Sequence, residues 1–210
     1  VTEALRDTRL VAGALPPERL ERLLRDGTDT ALSAIGETEA YLRKREFVQT
    51  LVGSSQLNAR ILLHAIVTGH VMFFASCIAE LTSVTREKVY TLLESGSRAS
   101  LVALLHRADI SSALAKVLTQ LVLHARTADL ADDTAARHYV VTALIEELIA
   151  EYDGAIPEEL EETFAYLSEQ NIALARKAAR GVMRAFAATT QLPMALPPAA
   201  EADLLRLPAA

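Results

Sequence analysis

Between Leu57 and Asp109 the chain falls into short apolar runs, each opened by a small polar residue and closed by glycine or a polar break. Asn58 precedes Ala59–Val67, Gly69-His70 separates that run from Val71–Leu81, and Thr85 precedes a third run that stops before Gly96. Apolar positions recur at three- and four-residue spacing, the period of a helix with one buried face. Leu57 before Asn58 and Val84 before Thr85 occupy the position from which a hydrophobic staple packs on Leu62 and Val89. Gly69 and Gly96 are expected to supply left-handed C-terminal residues. The same spacing predicts helices over 97–107, 111–127, from the Asp129–Asp133 link to about Tyr152, and from about Pro157 to Thr189.

Upstream, Pro16-Pro17-Glu18 reads as a helix start that Gly27 ends. A longer helix over 29–52 follows, with a possible interruption at Gly36 and with Arg43, Lys44 and Arg45 solvated. Strict two-residue alternation bounded by turn dipeptides is not found, so strands are not expected. The predicted class is all-α: an irregular multi-helix bundle or a degenerate HEAT-like helical-repeat array of about nine or ten helices. Residues 1–128 are expected to form the array and 129–190 a helical hairpin packed on it. Residues 191–210, rich in proline and alanine, form a tail with a short amphipathic turn at Glu201–Leu207.

Composition narrows the possibilities. The net charge of −6 opposes phosphate backbones on average, which makes nucleic acid an unfavoured partner. A single cysteine, Cys77, excludes an internal disulfide and a thiolate zinc site, and it suits a reducing compartment. With no basic, apolar leader at residues 1–7, the expectation is cytoplasmic. No Lys, Arg, Asp or Glu occurs between Ile61 and Ala79, enough residues to cross a bilayer. His64, Thr68, Gly69 and His70 interrupt that run where a helix should end, so two buried helices are expected and no membrane span.

The residues 57–110 resemble the bacterial, mainly alphaproteobacterial, domain of unknown function 2336. The likeness lies in Leu57–Phe74, Ala79-Glu80-Leu81, Val89 and Leu104–Ile110. The family pattern has an acidic residue where His70 stands and glycine where Asp109 stands. The resemblance implies a helical, repeat-like bacterial protein and carries no catalytic motif.

Candidate chemistry is sparse. Of the five histidines, none forms a pair four apart on one helix, and no His-Glu-x-x-His motif occurs. His64 sits in an apolar run and reads as a part-buried imidazole bonded to a backbone carbonyl. His106 and His124 lie on neighbouring helices near Asp109, yet lack further ligands for a metal. Glu146, Glu147 and Glu151 read as a solvated face. Phe73, Phe74 and Cys77 read as core, with an apolar ligand pocket as the alternative. No nucleophile elbow or glycine-rich phosphate loop is present, and neither catalytic residues nor a cofactor are expected.

The last helix carries Glu158, Glu159, Glu161 and Glu162 at its start and Arg176, Lys177, Arg180 and Arg184 later. Two readings of these bases stand side by side: matching of the helix dipole, or contact with an anion or a partner. The function expected from these features is a non-enzymatic protein-interaction or regulatory scaffold, with a protein partner or self-association. The alternatives are a nucleic-acid-binding module using that basic stripe, and a small-ligand sensor.

Overall fold

The computed structural model describes residues 16–128, 130 and 133–190, with side chains to Ala187. The tail 191–210, with its expected turn at Glu201–Leu207, lies outside the described residues. Nine helices and no strand occur among the described residues: α1 (Pro17–Tyr41), α2 (Glu46–Gly53), α3 (Ala59–Val67), α4 (Val71–Thr82), α5 (Arg86–Ser95), α6 (Arg98–Arg107), α7 (Ser112–Ala125), α8 (Thr134–Glu151) and α9 (Glu158–Thr190).

Helix α4 is the centre. It packs against α1, α2, α3, α5 and α6, and Phe73, Phe74, Ala75, Cys77 and Ile78 are all buried. Each helix from α4 onward touches the next, and α9 pairs with α8 over the most extensive interface. Helix α1 also crosses α3 and α4, and α9 reaches back to α3 and α7. A solenoid holds its repeats by neighbour contacts alone, so these long-range crossings make the fold an irregular bundle. One apolar cluster runs from Val48 to Leu174 without a gap at the 127–133 link, so the α8–α9 hairpin shares the core of the helices before it.

Several helix starts follow the sequence chemistry. The side chains of Asn58, Ser97, Ser111 and Asp133 accept from the amides of Ile61, Ser100, Leu114 and Ala135. Gly69 adopts φ 81° and reverses the chain between α3 and α4. Asp109, where the family pattern has glycine, takes the same left-handed region at φ 60°, a conformation that aspartate tolerates better than most residues.

Four expectations fail. Helix α1 runs straight through Gly27 and Gly36, because tertiary packing overrides the weak helix propensity of glycine. The true break falls at Leu42–Arg45, inside the helix expected over 29–52, with Arg43 at φ 58°. Gly36 is a contact surface instead: a Cβ there would stand 2.2 Å from Phe73 Cδ2. Gly96 is extended at φ −65°, ψ 150°, and Thr85 makes no side-chain cap bond.

Arginines from distant parts of the chain donate to carbonyls at helix ends, some of which also accept a backbone N–H. Arg86 Nη1 donates to Ala40 O at 2.6 Å at the end of α1. Arg107 Nε donates to Thr82 O at 3.0 Å at the end of α4. Arg126 donates to Leu93 O at 2.6 Å and Leu92 O at 2.8 Å near the end of α5.

Candidate functional site

The four bases singled out in sequence all fall on α9, a helix of 33 residues and so about 50 Å long. Its first half is held by the body through Leu160, Tyr166, Leu167 and Leu174. Beyond Leu174 no residue with a described side chain is buried, and Val182, Met183 and Phe186 are 55%, 70% and 67% exposed. Dipole matching does not account for the bases: the helix continues to Thr190, its last turn holds no basic residue, and the dipole acts only within that turn.

Helical geometry separates two surfaces on this projecting half. Ile172, Ala175, Ala179, Val182 and Phe186 alternate three- and four-residue steps and keep one line along the helix. Steps of four advance by about 40° each, so Arg176, Arg180 and Arg184 wind away from that line. Lys177 parts from the arginines. It lines a groove of about 510 Å³ formed by α1, the α3–α4 turn, α8 and α9.

The groove wall contains a densely bonded polar seam. His64, only 4% exposed, places Nδ1 2.9 Å from Tyr166 Oη and Nε2 3.5 Å from Thr30 Oγ1. The Thr30 hydroxyl already donates to Asp26 O at 2.8 Å, so it offers His64 a lone pair. The consistent tautomer carries its proton on Nε2, and Tyr166 O–H donates to Nδ1. Burial pushes the His64 pKa down to about 4, against the pull of Asp29. The imidazole therefore has a tyrosine hydroxyl as partner, not the backbone carbonyl expected. Behind it, Arg60 Nε donates to Asp29 Oδ2 at 2.6 Å, Nη2 donates to Asp26 Oδ1, and the guanidinium lies 4.6 Å from the Tyr166 ring centre. The same reasoning applies to His70. Thr68 Oγ1 donates to His64 O at 2.6 Å, so His70 Nδ1, 2.8 Å from that oxygen, must be the protonated nitrogen. When neutral, its Nε2 is an acceptor. Burial and the Arg137 charge hold the His70 pKa below its ordinary value.

Glu37, also on the groove wall, has a structural task. Its carboxylate accepts from Phe73 N–H at 2.7 Å and Met72 N–H at 3.4 Å, closing the first turn of α4 from α1. This is the role that an acidic residue at position 70 would serve.

The other candidates disperse. His124 Nε2 lies 3.0 Å from Glu147 Oε1, Lys116 pairs with Glu151, and His106 is exposed. Glu147 and Glu151 are thus tied to α7 and do not form a merely solvated face. No three His, Cys, Asp or Glu among the described residues converge on a metal-sized site. Cys77 is fully buried and its thiol is pushed to a higher pKa, which leaves it inert. No helix among the described residues is long and apolar enough to cross a membrane.

A family model described as "Uncharacterised protein conserved in bacteria (DUF2336)" matches residues 1–158. The chain belongs to this family. The match extends well beyond the 57–110 stretch that carries the sequence resemblance, and it ends at Glu158, where α9 begins. Comparison with curated proteins and with solved structures finds no match. The family description names no activity, and the projecting half of α9 lies wholly outside the matched residues.

Proposed function

We propose that this DUF2336 protein is a non-enzymatic helical scaffold that assembles through α9, and that the occupant of the projecting half is α9 of a second copy. The observation that carries the reading is the outward line of α9. It combines an apolar stripe in three–four spacing with a charge pattern that is acid first and base later. In an antiparallel pair the same flank of each helix meets the other. With Ile172 of one copy against Ala175 of the other, Val182 faces Ala165 and Ala179 faces Ser168, small residues that allow close approach. Glu169 then falls beside Arg176 on the matching flank. The competing contact is modest, since Glu169 meets Arg22 within its own chain only at 3.5 Å between part-exposed groups.

Light scattering on size-exclusion fractions over a range of concentrations tests the proposal. A dimer is expected for the native chain, and a monomer of unchanged helicity for the Val182→Glu, Phe186→Glu double variant. Arg176→Glu is expected to weaken the dimer and addition of Glu169→Arg to restore it. A native chain that stays monomeric at every concentration overturns the reading, and so does a dimer indifferent to these substitutions. Binding of nucleic acid at low salt through Arg180 would point to the alternative use of this face.

A further inference from the structure

The groove at the point where α9 leaves the body has the size and lining of a ligand site, and nothing in the scaffold reading uses it. Its volume of about 510 Å³ lies within the roughly 300–1,000 Å³ typical of small-molecule sites. Polar groups enter it from five separate elements: Thr30 from α1, His64 from α3, Thr68 and His70 from the α3–α4 turn, Arg137 from α8, and Gln170 and Lys177 from α9. Most are already committed. The Thr30 and Thr68 hydroxyls donate to backbone carbonyls, and both His64 nitrogens are engaged. Arg137 is anchored on the Leu130 carbonyl, and the Glu37 carboxylate is held by two amides of α4.

Of these, two ionisable groups remain. The Lys177 ammonium has no hydrogen bond or ion pair to any described residue. His70 Nε2 likewise has no described partner, and the Thr68 contact makes it an acceptor. A ligand matched to this pair must bring negative charge for Lys177 and its own proton for His70. We propose that the groove binds a small oxyanion that also carries an O–H donor, such as monohydrogen phosphate or an α-hydroxy carboxylate. The anion charge sits against Lys177, in the field of Arg137, while the O–H donates to His70 Nε2. Bound there, it bridges α9 to the α3–α4 turn exactly at the start of the projecting half, which makes occupancy a means of stiffening the docking helix.

The inference is independent of self-association, because its readout is the histidine ring itself. The full chain is titrated at constant ionic strength, above the ordinary histidine pKa, with each of two matched pairs: phosphate against sulfate, and malate against succinate. Nitrogen-detected proton correlation spectra of the imidazoles follow His70, assigned with His70→Asn. Saturable shifts of the His70 ring are expected with phosphate, malate or both. The pair member lacking the O–H is expected to bind about tenfold more weakly, since it leaves the acceptor unmet. Lys177→Glu is expected to lower affinity at least about tenfold, with Lys88→Glu, an exposed position on α5 outside the groove, as the neutral control. Non-saturating shifts, equal affinity within both pairs, or unchanged binding by Lys177→Glu would each overturn the proposal. A monomer that still binds would fail the assembly reading while leaving this one intact.

Discussion

Leu160, Tyr166, Leu167 and Leu174 lie on the body-facing side of α9 and are buried, whereas Val182, Met183 and Phe186, a few turns on along the same unbroken helix, are more than half exposed. The first half is held by packing and by the Tyr166–His64 bond. The second half is rich in good helix formers, Ala, Arg, Lys and Met, and the packed half supplies the nucleus that an isolated segment of that length lacks. One helix thus meets two solvents. Its anchored half records the fold, and its projecting half is the part the proposed assembly uses.

The sharpest way to break this comparison is a matched pair of truncations. Leu167→Ala is expected to lower unfolding free energy by about 2–5 kcal/mol, and Met183→Ala in the dilute monomer to stay within about 0.5 kcal/mol. Equal effects in urea melts would mean that the two halves are not distinct. Next in size is a pH effect confined to the anchored half. With its folded pKa near 4, His64 stays neutral where the unfolded chain, near 6.5, takes up a proton. Stability is therefore complete above about 6.5 and falls by about 3 kcal/mol as pH drops towards 4. Glu37 and Asp26, whose carboxyls burial raises, act in the opposite sense, because the folded protein takes up their protons first. Melting temperature against pH should be visibly flatter in that window for His64→Gln.

Smaller effects sharpen the contrast through two mid-helix glycines. Gly36→Ala drives a Cβ into the Phe73 ring and should cost about 1–3 kcal/mol by overpacking. A Cβ at Gly181 meets nothing within 4 Å, so Gly181→Ala should stabilise the projecting half locally by about 0.5–1 kcal/mol. Amide exchange in the projecting half should slow, with global stability almost unchanged.

These glycines also mark how far the sequence could be read. The cap at Asn58 was legible because the bonding partner lies three residues away. The apolar period of Phe73, Phe74 and Cys77 was enough to place α4 at the core. Gly27 misled because a glycine in an exposed turn need not end a helix packed elsewhere along its length, and Gly36 because it admits a neighbour, the Phe73 ring, that lies across from it. The arginines that close α1, α4 and α5 were invisible for the same reason: Arg126 and Leu93 are 33 residues apart. Of the candidate site, the bases of α9 were found and their division was not. Separating Lys177 from Arg176 needs the position of the α3–α4 turn, which no spacing on α9 encodes.

The Glu37 carboxylate clasping the opening amides of α4 has a consequence for cooperativity. The innermost helix has no cap from its own flanking residues; His70 makes no such bond, and the cap arrives from 35 and 36 residues upstream. The middle of α1 and the leading turn of α4 should consequently open as a single unit in native-state exchange. Any event that peels α1 away, whether thermal or driven by a binding partner, is transmitted to the centre of the protein without passing through the intervening chain.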